Sequence, residues 1–288
     1  MIKRAVVVGG AGAVGELFAR HLLDTGAEVT VVDTVRPAAP FRHVPGDVTA
    51  VDFRLAAELG HADLVVLALP EPVALAALHG VVAELRPDAL LVDTLSVKQL
   101  ITRAVRELAP EIQAVGLNPM FAPSLGFEGR PVAAVVVNEG PRTEELLKLV
   151  GSWGATVVRV DAAEHDRLAG ATQVLTHAAV LGFGLALSGL GVPAARLRQV
   201  APPPATTLLA LLARIASGTP EVYWDVQHAN PEAADVRTAL ADSLRRLVAI
   251  VEQGDEADFT AALTELRAYL GEDLARHRDT CARLFEQI

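Results

Sequence analysis

The stretch VVVGGAGAVGELFARHLL, Val6 to Leu23, decides the fold. A β-branched run breaks into glycines, and Gly10, Gly12 and Gly15 set out the spacing G-x-G-x-x-G. That spacing alone is weak. Here a strand precedes it, and an apolar helical pattern (Val14, Leu17, Phe18, Leu22) follows. A second β-branched run, Glu28–Val32, then ends in Asp33, eighteen residues after Gly15. Strand, glycine turn, helix, strand and acid in this order form a dinucleotide fingerprint. Gly10 is expected to permit the tight turn, Gly12 to let a pyrophosphate approach the backbone, and Gly15 to let helix and strand pack closely. The helix entered at Ala13 and Val14 turns free N–H groups toward the phosphates. Asp33 suits both ribose hydroxyls and repels a 2′-phosphate, so the expected cofactor is NAD, a preference that the nearby Arg36 weakens.

Outward from this motif the alternation continues. Strands are expected at Arg4–Val8, Glu28–Val32, Leu64–Ala68, Ala89–Val92, Gln113–Gly116, Val132–Val137 and Thr156–Val160, with helical patterns between them. Alternating strands and helices imply βαβ units and a mostly parallel sheet. After Asp161 no strand pattern stands out. Helical patterns run to the C-terminus, broken at Gly189–Pro193, Pro202–Pro204, Gly218–Pro220, Pro231 and Gly254. Asp161, followed three residues later by Glu164, has the spacing of a capping box. The expected architecture is an α/β Rossmann-type domain over residues 1–160 and an all-α domain over residues 161–288. A length of 288 residues suits two domains.

Composition narrows the function. The formal net charge is −10, without a block of lysine and arginine, which argues against nucleic acid and against an anionic membrane surface. The single cysteine, Cys281, excludes an intrachain disulfide and fits a reducing, cytoplasmic setting. The start, MIKRAVVVGG, resembles a basic leader, but its apolar run breaks at once into glycines, so it is read as the first strand. The apolar run Ala178–Val192 carries several glycines and serines and falls short of the ~20 residues of a membrane span, so a buried helix is expected.

Several residues carry two readings. Leu69 and Pro70 end a strand and open a helix: a cofactor-flanking loop or a plain βα turn. Ser96 and Lys98 follow the next strand on the same sheet edge, although an isolated Ser-x-Lys is usually a helix start with a solvated lysine. Glu164–His165–Asp166 has the residue types of a metal site, yet the capping spacing and the preference of acids for helix N-termini explain it without one, and no metal is expected. His177 lies in an apolar helix, where a lone histidine is usually a core residue. Arg214 reads as a helix-terminal arginine.

Taken in order, VVVGGAGAVG, LVDTLSVK, GLNPMFAPS, AEHDRLAGATQVLTHAAVLGFGLAL, ARIASGTPEVYWD and VEQGDEADF resemble the prephenate dehydrogenases. The resemblance covers about residues 3 to 272. It implies an N-terminal Rossmann domain, a helical domain that forms a homodimer, and NAD(P)-dependent oxidation and decarboxylation of a cyclohexadiene dicarboxylate. It places Ser96 near the nicotinamide and the substrate's C4 group, matches Lys98 to the lysine of the SVK block and His177 to a substrate-site histidine, and gives Arg214 the ring carboxylate. Tyr223 or Trp224 would line the pocket.

One position departs from that pattern. Where the family has the histidine that accepts the proton of the C4 hydroxyl, this sequence has Asn118. An amide cannot take a proton at neutral pH. Loss of a general base costs ~10²–10⁴-fold. A C4 amine removes the need, because its lone pair expels hydride to leave an iminium ion. In this respect the sequence resembles the aminodeoxyprephenate dehydrogenases, and the expected substrate is 4-amino-4-deoxyprephenate. Alternatives are an ordinary prephenate dehydrogenase with another base, and a non-catalytic NAD-binding relative. A 3-hydroxyacid dehydrogenase relies on a helix lysine, and no lysine follows Lys148.

Overall fold

The computed structural model describes residues 2–288. Eight strands form one sheet: β1 (Arg4–Val8), β2 (Glu28–Asp33), β3 (Arg42–Pro45), β4 (Leu64–Leu67), β5 (Leu90–Asp93), β6 (Gln113–Pro119), β7 (Pro131–Asn138) and β8 (Thr156–Arg159). Their order is β3-β2-β1-β4-β5-β6-β7-β8. The pairings from β3 through β6 are parallel, β7 runs antiparallel to β6, and β8 is parallel to β7. The helices α1 (Ala13–Asp24), α2 (Phe53–His61), α3 (Glu71–Glu84), α4 (Gln99–Leu108) and α5 (Pro141–Ser152) cover the two faces. A sheet covered on both sides needs apolar residues at every position rather than at alternate ones. In β1, Ala5 and Val7 join the core under α1 and α5, while Val6 and Val8 join the core under α2, α3 and α4. The strand order reverses at β1, which opens a crevice at the carboxyl ends of β1 and β4.

β3 is the strand that the sequence hid. Its four residues, Arg-His-Val-Pro, show no apolar alternation, and it sits at an edge with β2 as its one neighbour.

The chain divides into two compact units, one ending at Ala169 and the other starting at Gly170. The first therefore includes α6 (Ala162–Ala169), which packs on α4 and β7. Asp161 caps this helix, its Oδ1 accepting the Glu164 N–H at 2.8 Å. The second unit begins with a π-helical turn, Gly170–Val174, and continues as α7 (Leu175–Gly189), α8 (Ala194–Val200), α9 (Pro203–Ala216), α10 (Pro220–His228), α11 (Ala233–Gln253), α12 (Glu256–Leu270) and α13 (Asp273–Phe285). The breaks fall where proline and glycine placed them, with one more at Gly271, which adopts φ +51°.

The expectation of a buried helix over Ala178–Val192 is not met within the chain: Val180 alone of α7 is buried. Leu185, Leu190, Leu244, Val248, Val251 and Tyr269 are likewise exposed, so the second unit presents a large apolar surface. The helical run Ala162–Gly189 has the length and hydropathy of a membrane span. Its first two turns, however, bury His165 and Asp166 in polar contacts of the first unit.

Candidate active site

The loop after β1 has the geometry of a dinucleotide cradle. The left-handed turn residue is Gly9, at φ +78°, rather than Gly10; a Cβ on Gly9 would lie 2.1 Å from the Ala68 carbonyl oxygen. Gly10 is required for packing, since its Cβ would meet Val31 at 2.7 Å, and a Cβ on Gly15 would meet the Gly9 oxygen at 2.3 Å. Gly12 caps α1 without a side-chain hydrogen bond, and a Cβ there would touch only the Gly9 oxygen at 3.3 Å. The Ala13 and Val14 amides, first in the helix, lack intrahelical acceptors. A glycine with a single close backbone neighbour and free amides at a helix N-terminus fit a pyrophosphate. Asp33 ends β2 with its carboxylate oriented by the Ala11 N–H at 3.0 Å and the Val35 N–H at 3.0 Å. Leu69 packs against the second core, and the exposed Pro70 caps α3.

Asn118 lies inside β6, paired with Ala133 of β7, and is 4 % exposed. Its Nδ2 is 3.1 Å from His165 Nε2. His165 Nδ1 is 2.8 Å from Asp166 Oδ1. The Asp166 carboxylate also accepts the Lys98 N–H at 2.8 Å and the Gln99 N–H at 3.1 Å. Ser96 is half-buried in the loop between β5 and α4.

Lys98 corrects two expectations. Its side chain is neither solvated nor open to a substrate: it is fully buried. The ammonium donates to Asp93 Oδ1 at 2.5 Å and to the Leu117 carbonyl at 3.2 Å. Burial pulls its pKa below the ordinary value, and Asp93 opposes that shift. Lys98 ties β5 to β6 at Leu117, the residue before Asn118, which is a structural role.

In the second unit, α7, α9 and α10 bring His177, Arg214 and Tyr223 together. The His177 and Tyr223 rings meet edge to face, 5.2 Å apart, and Tyr223 Oη donates to the Arg214 carbonyl at 3.5 Å. Burial, and then the Arg214 charge, hold the His177 pKa below its usual value. His177 Nδ1 is buried without a hydrogen-bond partner among the described residues. Such an atom costs free energy unless a ligand or a partner satisfies it. Arg214 is exposed. Of the two aromatic candidates, Tyr223 joins this cluster. Trp224 is 63 % exposed and stacks on His228, with ring centroids 5.0 Å apart.

Two family models match the chain: "Prephenate dehydrogenase, nucleotide-binding domain" over residues 18–134, and "Prephenate dehydrogenase, dimerization domain" over residues 161–265. The chain is 54 % identical to a 4-amino-4-deoxyprephenate dehydrogenase of Streptomyces pristinaespiralis, over 99 % of this chain and 97 % of that one. The chain belongs to the prephenate dehydrogenase family. A probable arogenate/prephenate dehydrogenase of Methanocaldococcus jannaschii is 28 % identical over 94 % of this chain and 61 % of its own length. The same fold occurs in the prephenate dehydrogenase of Aquifex aeolicus in complex with hydroxyphenyl propionate and NAD⁺. That structure is 20 % identical, with a TM-score of 0.69 over 93 % of this chain and 97 % of that one.

Within this family fold, sequence reasoning passed over His165 and Asp166. The triplet was weighed only as a metal cluster or a helix cap. Among the described residues no group of three or more possible ligands assembles. Glu164 does belong to the cap, but the other two residues turn inward to Asn118 and α4. The available signal was the charge of Asp166 on the inward side of an amphipathic helix.

Proposed function

We propose that this dehydrogenase converts 4-amino-4-deoxyprephenate to 4-aminophenylpyruvate and CO₂, with NAD as the hydride acceptor. The observation that carries the proposal is Asn118. It stands where the family resemblance expects a histidine base, it cannot ionise, and the nearest imidazole, His165, is shut behind it at 1 % exposure. The name of the Streptomyces relative supports the same substrate.

The chemistry balances without a side-chain base. The substrate ammonium first sheds a proton to water. The amine lone pair then forms a C=N bond as the C4–H bond breaks and its electron pair leaves as hydride. The bond from C1 to the ring carboxylate breaks next, its pair enters the ring, and the iminium becomes an aniline as CO₂ departs. A C4 hydroxyl following the same course would pass through a protonated ketone, a far less stable cation, unless a base removed the proton. Asn118 Oδ1 accepts a hydrogen bond from the C4 nitrogen, and that bond strengthens as positive charge grows there. Ser96 lies near the same group. By the family resemblance Arg214 takes the ring carboxylate, and His177 and Tyr223 cluster with it in the second unit. The glycine loop and the α1 N-terminus, with the amides of Ala13 and Val14, bind the pyrophosphate; Asp33 binds the adenosine ribose, and Leu69 and Pro70 flank the cofactor.

The second unit forms a homodimer. Its uncovered apolar helices and its match to a dimerisation-domain model support this.

The test is Asn118→His. Restoring a base should raise kcat/KM on prephenate and leave activity on the amino substrate equal or lower. On the amino substrate the wild-type rate should climb with pH as the ammonium is lost, with no limb near ~6.5 from a histidine base. A variant that gains nothing on prephenate, together with a wild-type limb near ~6.5, would contradict the proposal.

A further inference from the structure

The reaction above gives no part to the buried chain of hydrogen bonds behind Asn118. Asn118, His165, Asp166 and Lys98 are 4 %, 1 %, 0 % and 0 % exposed. The bonds run in one direction. Asp166, as a carboxylate, only accepts. Its Oδ1 takes the Lys98 N–H at 2.8 Å, its Oδ2 takes the Gln99 N–H at 3.1 Å, and Oδ1 also faces His165 Nδ1 at 2.8 Å. The proton at that contact therefore sits on Nδ1. A neutral imidazole protonated at Nδ1 has a bare lone pair at Nε2. Only a donor can satisfy that lone pair, so the Asn118 amide must turn its NH₂ group to it, in keeping with the 3.1 Å contact from Nδ2. The remaining amide atom, Oδ1, makes no hydrogen bond among the described residues.

We propose that His165 and Asp166 are positioning residues for Asn118: Asp166 fixes the proton on His165 Nδ1, His165 holds the Asn118 NH₂, and Asn118 Oδ1 is thereby aimed as the acceptor for the substrate's C4 nitrogen. The proposal rests on the amino-substrate reading for the identity of that nitrogen, but the amide orientation stands by itself. Orientation matters because the two ends of an amide have opposite polarity. An oxygen facing the C4 nitrogen stabilises a growing cation, whereas an NH₂ group there opposes it. The oxygen's contribution is larger in the transition state than in the bound substrate, so its loss appears in kcat more than in KM. The device also fixes the Asn118 amide in one orientation: the backbone amides of Lys98 and Gln99 set the whole chain of donors and acceptors.

Ring ¹⁵N NMR of histidine in the full-length protein tests this without turnover. The His165 signals are assigned by their loss in His165→Gln. The expected result is a proton on Nδ1 and a bare Nε2. In Asn118→Asp, an acceptor faces the ring, and both nitrogens should carry protons. A wild-type proton on Nε2, whether or not Nδ1 also carries one, would overturn the proposal, because the amide oxygen would then face the ring. Kinetics give a second readout. His165→Leu should lower kcat on the amino substrate roughly ten- to a hundred-fold, with KM within a few-fold, as expected when a buried donor loses its acceptor. His165→Gln supplies an acceptor oxygen near the place of Nε2 and should recover most of that loss. Equal losses in the two variants would count against positioning and for simple packing. If wild-type enzyme prefers the C4-hydroxy substrate, the substrate reading fails, and the ring-nitrogen result still decides the orientation of Asn118.

Discussion

Replacing Lys98 by methionine separates a structural lysine from a substrate-binding one. The ammonium is fully buried and donates to Asp93, which is 5 % exposed, and to the Leu117 carbonyl. Methionine fills much of the same space but removes the charge, so Asp93 is left as a buried carboxylate that, among the described residues, keeps the Leu95 N–H at 3.2 Å. Removing one partner of a buried ion pair costs about 3–5 kcal/mol, most of it the desolvation of the charge left behind. Removing the orphaned charge as well should recover most of that cost, so Lys98→Met/Asp93→Asn should be markedly more stable than Lys98→Met alone. Urea unfolding followed by the fluorescence of Trp153 reports on this unit, because Trp153 packs against Phe18 and Phe127 in its core. The other tryptophan, Trp224, is exposed and is replaced by phenylalanine in the background protein. The expected result is a lower midpoint at constant slope for Lys98→Met, partly reversed in the double variant. A Lys98→Met protein of wild-type stability whose KM for substrate has risen tenfold would refute the structural assignment.

Three further perturbations probe other parts of the account. Asp33→Ala should narrow the preference for NAD⁺ over NADP⁺; comparable or better kcat/KM with NADP⁺ in the wild type would instead point to Arg36 as a phosphate partner. Arg214 is exposed in the free protein; if the bound ring carboxylate desolvates it, Arg214→Ala should cost about 2–4 kcal/mol in transition-state binding while NAD affinity is nearly unchanged, and normal kinetics would reduce Arg214 to a solvated helix end. Asp63 is desolvated, yet it accepts the Lys3 and Arg4 amides and faces Arg86 and Arg142, which brings its carboxyl down to about 2. A lowered carboxyl pKa adds stability above its ordinary range, and that stability is lost as pH falls toward the folded value. After discounting for solvent screening, Asp63→Asn should cost about 1–2 kcal/mol near neutrality, and the gap should close near pH ~2. A gap that stays constant with pH would exclude the charge as its source.

The parts of the fold that local patterns determine were legible in the sequence. The glycine spacing with its flanking strands identified the cradle, and proline and glycine located the breaks between the C-terminal helices. The tight-turn residue was placed one position late, because in a run of two glycines the spacing motif points to Gly10 while the left-handed φ belongs to Gly9. The network behind Asn118 was not legible for a different reason. His165 and Asp166 sit side by side in a helix, but Asn118 lies 47 residues from His165, and Lys98 lies 68 residues from Asp166. No period or spacing encodes such contacts; they follow from the fold bringing β6 and the start of α4 against α6. The same blindness made Lys98 look solvated, since nothing local to Ser-x-Lys reveals the carboxylate and the carbonyl that bury it. The apolar sequence of α7 was read correctly as a helix, while its expected burial is not met within its own chain.

The substrate assignment is the central claim, and one comparison tests it most directly: NADH formation by the purified wild-type enzyme with 4-amino-4-deoxyprephenate and with prephenate, under the same conditions, read as a ratio of kcat/KM. An amide in place of the base predicts a ratio of at least ~10² in favour of the amino substrate, the lower end of what a general base contributes to the hydroxy substrate. A ratio near or below unity would contradict it.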